Sequence, residues 1–511
     1  MSRIACLCLF AVFAATLDRF VVAKTLAAES VASTFKAAFA ERDITPAIGM
    51  EQPGGYRKAF HRSIHDPCKV RAVVFDDGQT RVAIVGLDAL LLHRSTVVAA
   101  RLRIEKKCGI RGGNVLISAS HSHSSGPTGM VVPGQFDDAS PLVQRLAYQE
   151  SSCADAKFLQ HVEDQIVDAV CAADAARVPA KAGVGKGVED QVAFNRRFRM
   201  RSGLTATHPH QGNHDIVEVA GPTDPEVGVI GVWDEAGKFM GCIVNFACHA
   251  TASPGGASAN YIYYLEQTIR GVMGTEAIVV FLPGTCGDIT QVDNLDPLVL
   301  RKGETSSRFV GGRIGAEAVK VLLSIERGPL VPLASKSTIL EIPRRVPRPE
   351  RVERTTQIAE KPPSGDLTEW TFAKEIVLLD ALIKKEPTVE VEIQAVQVGP
   401  VVFISDPAEF FCEFGLRTKR ESPFPFTFPV ELADGCVGYV PTEEALGPRG
   451  GGYETRLTFY SNLEPAAGRK FVDAGVALAR QLTPGVVPER PKVPPRKPET
   501  WGYGNVPPEL D

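Results

Sequence analysis

His121 and His123 stand two residues apart at the end of an apolar run, Val115 to Ile117, that opens into a Ser/Gly/Pro-rich segment. In an extended chain that spacing puts both rings on one face. Two imidazoles on one side of a strand end can both bind a metal, or divide into a ligand and a general base. They can equally be polar residues of a surface loop. A second apolar run, Phe239 to Cys248, delivers His249 at its end, where a histidine is either a satisfied near-core residue or a third imidazole. A third run, Val401 to Ser405, leads into Asp406-Pro-Ala-Glu409 and so places a carboxylate after a buried strand. Gly438-Tyr439-Val440-Pro441 sets a tyrosine in a turn-prone context. Two histidines, a carboxylate and an open position make up a catalytic zinc site. The separations are too long for a local zinc motif, so periodicity alone does not assemble these residues.

The elements that must position them alternate between strand and helix. Val70 to Phe75 and Arg81 to Leu87 read as strands around an Asp76-Asp-Gly78 turn, and Ser95 to Lys107 reads as a helix before the strand of the histidine pair. Helical patterns recur at Phe158–Ala176, Ile262–Met273, Ser307–Ile325, Leu367–Lys385 and Arg469–Leu482, with apolar strands between them. The expectation is an α/β fold: a mixed sheet core with flanking helices and a site built from loops at strand ends. The glycine-rich segments lack both dinucleotide-binding and Walker spacing, which disfavours nucleotide binding.

With 511 residues, 44% hydrophobic and 23% charged, and a net charge of −4, the chain gives no argument for nucleic-acid binding. Arg3 followed by the apolar run Ile4–Leu17 resembles a secretory signal peptide cut near Ala23, the alternative being a buried N-terminal helix. The expected organisation is a signal peptide over 1–23, a loose leader over 24–40 and a catalytic domain over 41–483. Within that domain the Pro/Arg/Glu-rich residues 327–365 read as a linker or excursion, and 484–511 as a proline-rich tail. No later segment reaches membrane-spanning length, so an exported protein, periplasmic or extracellular, is expected. Nine cysteines follow the signal without a C-x-x-C pair, and Cys68–Cys108 and Cys153–Cys171 are candidate disulfides. His208, His210 and His214 lie in a polar stretch, either solvated or forming a surface metal site. Sequence gives no oligomeric state.

Seven segments extend the reading. Asn114 to Pro127 with its histidine pair, Asn195-Arg196, Asn245-Phe-Ala-Cys-His249, Gly287-Asp288, Pro407-Ala-Glu409, Gly438-Tyr-Val-Pro441 and Gly452-Tyr-Glu454 occur in this order. Together they resemble the signatures of the neutral/alkaline, non-lysosomal ceramidases, in a shorter bacterial-type form without room for the C-terminal immunoglobulin-like domain. The resemblance implies a zinc ion held by His121, His249, Glu409 and Tyr439, with His123 beside it as proton carrier. Arg196 and Tyr453 would lie near the scissile carbonyl. Zinc lowers the pKa of a bound water to about 7, which makes it a nucleophile towards an amide. The implied substrate is a lipid amide, a sphingolipid or similar N-acyl compound, presented at a membrane surface.

Three departures stand out. Thr290 replaces the serine that the longer enzymes carry as nucleophile or substrate contact, and threonine is bulkier and stiffer at χ1. Ala408 replaces a glycine, and Asn260 stands where an aspartate is expected. Two other readings compete with a ceramidase-like hydrolase: a zinc hydrolase of a different amide or ester, and a catalytically silent domain that binds a lipid or glycan.

Overall fold

The computed structural model describes residues 35–298, 301–363, 367–494 and 506–511. The expected signal peptide, most of the leader and part of the tail lie outside the described residues. The chain opens with β1 (Lys36–Asp43), β2 (Lys69–Asp76), β3 (Arg81–Leu87), helix α1 (Arg94–Cys108) and β4 (Val115–Ala119). Helices α2 (Pro141–Tyr148) and α3 (Ala156–Ala175) follow, then β5 (Val178–Val188) and the short strands β6 (Phe194–Asn195), β7 (Arg197–Met200), β8 (Thr205–Thr207) and β9 (Ile216–Val219). Next come β10 (Glu226–Asp234), β11 (Phe239–Phe246), α4 (Tyr261–Met273), β12 (Ile278–Pro283), β13 (Ile289–Thr290) and α5 (Gly303–Leu322). The remainder comprises β14 (Leu333–Pro343), α6 (Pro349–Ala359), α7 (Leu367–Lys385), β15 (Thr388–Val398), β16 (Val401–Asp406), β17 (Glu409–Phe410) and α8 (Cys412–Glu421). It closes with β18 (Phe426–Glu431), β19 (Tyr439–Val440) and α9 (Ala467–Ala479).

An eight-stranded mixed sheet has the order β12-β11-β10-β5-β1-β2-β3-β4, and a four-stranded sheet the order β14-β15-β16-β18. Period-two alternation gives each strand two apolar faces. Val73, Phe75 and Ile84 of the large sheet share one core cluster with Phe403, Phe428 and Val430 of the small one. Val70, Ala72 and Val74 face the other way, clustering with Val97 and Ile104 of α1 and with Val162 and Ile166 of α3. Cys242, Val244 and Phe246 do the same with α4 and α5. The two sheets thus pack on each other with helices outside, which matches the expected mixed core with flanking helices.

Two boundaries differ from expectation. Residues 35–40 belong to the fold and not to a leader: Phe35 is buried, and β1 pairs with β2 from Lys36↔Asp76 to Asp43↔Lys69. The described residues of 327–365 are folded and not a linker. β14 pairs with β15 along its whole length, and α6 packs on α7. The start of the expected tail is also tied down, with Gly485 N donating to Gly399 O at 2.9 Å. All nine cysteines among the described residues are free, and the thiol lying against Cys171 is that of Cys108, across the α1–α3 interface. Among the described residues, no helix is long and apolar enough to cross a membrane.

Candidate active site

β4 is fully buried and ends at Ala119. Two residues later His121 takes φ = 60°, the left-handed region that side chains other than glycine seldom occupy. The expected extended geometry therefore does not hold. The turn itself brings the His121 and His123 rings together, with centroids 4.7 Å apart and planes at 85°. The parallel strands β11 and β12 end side by side. β11 leads to His249 and β12 to the loop Gly284–Asp288. β16 leads to Glu409, whose strand β17 pairs with Tyr439 of β19.

These strand ends converge. His121 Nδ1 lies 3.0 Å from Leu90 O, and His249 Nδ1 lies 2.6 Å from Cys286 O. A carbonyl only accepts, so each Nδ1 carries a proton and each Nε2 is left facing the centre of the site. Both Nε2 atoms face one atom, Glu409 Oε2, at 3.3 Å from His121 and 3.1 Å from His249. His123 Nε2 lies 3.2 Å from His121 Nε2. His121, His123 and His249 form the one grouping of three or more metal-ligand side chains among the described residues, so the stretch holding His208, His210 and His214 contributes none.

Electrostatics fits a cation site. Burial first, then the Arg196 guanidinium and His121, push His249 down to about 3. Burial, with His121 and His249 alongside, holds His123 well below its ordinary value. Burial pushes the Glu409 carboxyl up, but the facing imidazoles outweigh it and hold it well below its ordinary value. Two imidazole nitrogens and a carboxylate oxygen converging in a dry interior are a donor set that a cation between them would satisfy. Nitrogen and oxygen donors of this kind suit zinc.

The remaining expected residues surround this group. Tyr439 OH lies 3.2 Å from Arg196 Nη2 and 3.2 Å from Tyr453 OH. Arg196 is buried, donating also to Glu454 Oε1 at 2.9 Å and Gly287 O at 2.7 Å. Asn195 Nδ2 donates to Asp288 Oδ2 at 2.8 Å, so the Asn-Arg and Gly-Asp segments meet as a structural joint. Burial raises the phenols of Tyr439 and Tyr453. Thr290 is buried in β13, its hydroxyl donating to Gln291 Oε1 at 3.1 Å, and it is not among the residues lining the cavity.

A cavity of about 740 Å³ opens over the site. His121, His123, Glu409, Tyr439, Tyr453 and Tyr460 form its polar floor, while Leu90, Met130, Leu367 and Phe372 give it apolar walls.

Comparison with known proteins decides the fold. The structure of neutral ceramidase from Pseudomonas aeruginosa superposes with a TM-score of 0.64 at 19% identity, over 89% of this chain and 76% of that one. The chain has the neutral ceramidase fold. A ceramidase complexed with C2 gives the same TM-score and identity, over 77% of its own length. No family model matches the chain, and no curated protein sequence does either.

Within this ceramidase fold, several contributors carry no sequence signal of their own. Gln52 Nε2 donates to His123 O at 3.0 Å, and Gly54, with φ = 103°, backs onto the His123 ring. A Cβ at Gly54 would fall 2.3 Å from His123 Nδ1. Helix α7, which begins just after the expected linker, supplies Leu367, Thr371 and Phe372 to the cavity wall. The Leu90 and Cys286 carbonyls orient both metal-facing histidines, yet a backbone oxygen is invisible to motif reading. Asn260, unexplained in sequence, has φ = 63° and accepts a hydrogen bond from Tyr261 N at 2.9 Å at the start of α4. Asparagine tolerates positive φ better than most residues and caps helices well.

Proposed function

We propose that this chain is a zinc-dependent amidohydrolase that cleaves the N-acyl amide bond of a sphingolipid-like substrate. One observation carries the metal half of the reading: two imidazoles, each oriented by a backbone carbonyl, present Nε2 to Glu409 Oε2. The substrate half is supported by the ceramidase fold, by the C2 complex of a protein sharing it, and by the mixed apolar and phenolic cavity.

His121, His249 and Glu409 would hold the zinc, with Tyr439 as fourth ligand. Its phenol oxygen already has the Arg196 guanidinium as a neighbour, which favours negative charge on it. Zinc there supplies water activation and polarisation of the scissile carbonyl. His123 lines the cavity and is neutral at pH 7, so its ring takes the proton from the attacking water and returns it to the departing amine nitrogen. The Tyr453 hydroxyl donates to the developing oxyanion, a contribution on the order of 3 kcal/mol. Arg196 acts through Tyr439, and Thr290, turned to Gln291, is not needed as a nucleophile. The N-terminal sequence favours an exported enzyme, and the ceramidase fold favours a lipid amide as its substrate.

The test combines metal analysis with hydrolysis of an N-acyl-sphingosine. One zinc per chain, and turnover lost in His121→Ala, is the expected result. Zinc with turnover only on other amides or esters redirects the substrate. A metal-replete protein that binds no zinc overturns the reading.

A further inference from the structure

Glu431 closes β18 with its side chain fully buried, although a carboxyl in a dry interior is costly unless it has work to do. Its Oε2 accepts a hydrogen bond from the backbone N–H of Cys286. The carbonyl of that same residue receives His249 Nδ1–H at 2.6 Å. The Glu431 backbone carbonyl in turn accepts from Ser118 Oγ at 2.9 Å, on the strand that leads to His121. One residue is therefore tied to the supports of two histidines whose Nε2 atoms face Glu409.

The loop it grips is crowded with site contacts. Gly287 O receives Arg196 Nη2 at 2.7 Å, and Gly287 N donates to Phe410 O at 2.8 Å. A Cβ at Gly287 would come within 2.5 Å of Glu409 O. The loop must keep its backbone conformation to serve His249, Arg196 and Glu409 together, and the Cys286 N–H is a central donor in it. We infer that Glu431 is a positioning residue for the metal site, fixing the backbone on either side of the Cys286 Cα so that His249 keeps its tautomer and its aim at Glu409. This rests on the metal reading above.

The physical content is positional: Glu431 holds the Thr285–Cys286 peptide through its N–H, one Cα away from the Cys286–Gly287 peptide whose carbonyl orients His249. Partners that orient a ligating histidine typically govern metal affinity by 10–100-fold. Burial pushes the Glu431 carboxyl well above its ordinary value, with the Cys286 N–H pulling the other way. A neutral amide is therefore a fair mimic: Glu431→Gln keeps the shape and the acceptor. Glu431→Asp keeps the carboxyl but withdraws it by one methylene, and Glu431→Leu removes the acceptor.

Zinc affinity of the metal-free full-length chain is measured by chelator competition. E431Q should bind within about threefold of the parent, while E431D and E431L bind roughly 10–100-fold more weakly. If E431L does not fold, E431D carries the comparison. Parent-like affinity in E431D, or equal weakening in all three, overturns the inference. Should the parent bind no zinc, the metal reading falls and Glu431 is judged on the metal-free protein. A His249 Nδ1–H resonance kept in E431Q and lost in E431D upholds it, and one unchanged in both overturns it.

Discussion

His249 Nε2 and Glu409 Oε2 lie 3.1 Å apart across 160 residues of sequence. The two strands that deliver them, β11 and β16, belong to different sheets, so this contact joins the two halves of the fold at the site. If that junction is a metal site, Glu409→Ala should lower zinc affinity at least about 100-fold, because a ligand and the balancing negative charge go together. Chelator competition reads this directly. Undiminished zinc binding in Glu409→Ala, with loss in His123→Ala, would instead assign the metal to the three imidazoles.

His123 carries the proton-transfer role, and its variants should separate chemistry from metal. His123→Ala should keep zinc and lose about 10²–10⁴-fold in kcat. Gly54→Ala tests the same ring without replacing it. Its added Cβ meets His123 Nδ1 at 2.3 Å and the backbone has φ = 103°, so either the ring or the loop must move. A kcat drop of at least about 10-fold at unchanged zinc content is expected. Parent-like turnover in Gly54→Ala would mean that the position of His123 does not limit the reaction.

The α/β class was legible because the central strands are apolar, β-branched and bounded by turns. β1 was missed for a physical reason: Lys36-Ala-Ala-Phe-Ala-Glu-Arg-Asp43 is alanine-rich, and its strand character comes from eight register pairs with β2 and not from propensity. β14 is an edge strand in which only Leu333 and Ile342 are buried, and the Pro/Arg/Glu-rich residues that follow it make the whole stretch look like an excursion. At the site, His121, His123, His249 and Glu409 were visible as polar residues at the ends of apolar runs. Their division of labour was not, since it depends on which ring nitrogen meets the Leu90 or Cys286 carbonyl. Nor was the left-handed His121 backbone, which no spacing rule anticipates.

Cys108 and Cys171 lie against each other between α1 and α3, beside the Lys107–Asp168 ion pair of 2.6 Å. Diamide should oxidise this pair, two thiols giving one disulfide as two electrons and two protons pass to the reagent. Burial, and then the Cys108 thiol, push Cys171 up to about 12, so the reaction should be slow at pH 7 and faster at pH 9. Peptide mapping should find a Cys108–Cys171 link, and the oxidised protein should gain about 2–4 kcal/mol in stability. A link from Cys108 to any other cysteine would contradict the packing of these helices.

Asp66 gives the structure a pH dependence of definite sign. Its carboxylate accepts from Ser258 Oγ and from Ala259 N, and Ser258 in turn accepts from Ser122 Oγ at 2.8 Å and donates to Ser124 O at 2.9 Å. Asp66 thus anchors the segment that holds His121 and His123. Burial is the largest influence on it and, despite those two hydrogen bonds, leaves it at about 6, above the ordinary 3.8. The folded state therefore binds the proton more tightly than the unfolded chain. The stability this brings is full below pH 3.8 and is lost as pH rises through about 6. Asp66→Asn cannot titrate, so urea unfolding of the parent minus the variant isolates the group. That difference should favour the parent by about 2–3 kcal/mol more at pH 4 than at pH 7.5. A difference that does not change with pH would show that Asp66 keeps an ordinary carboxylate in the folded protein.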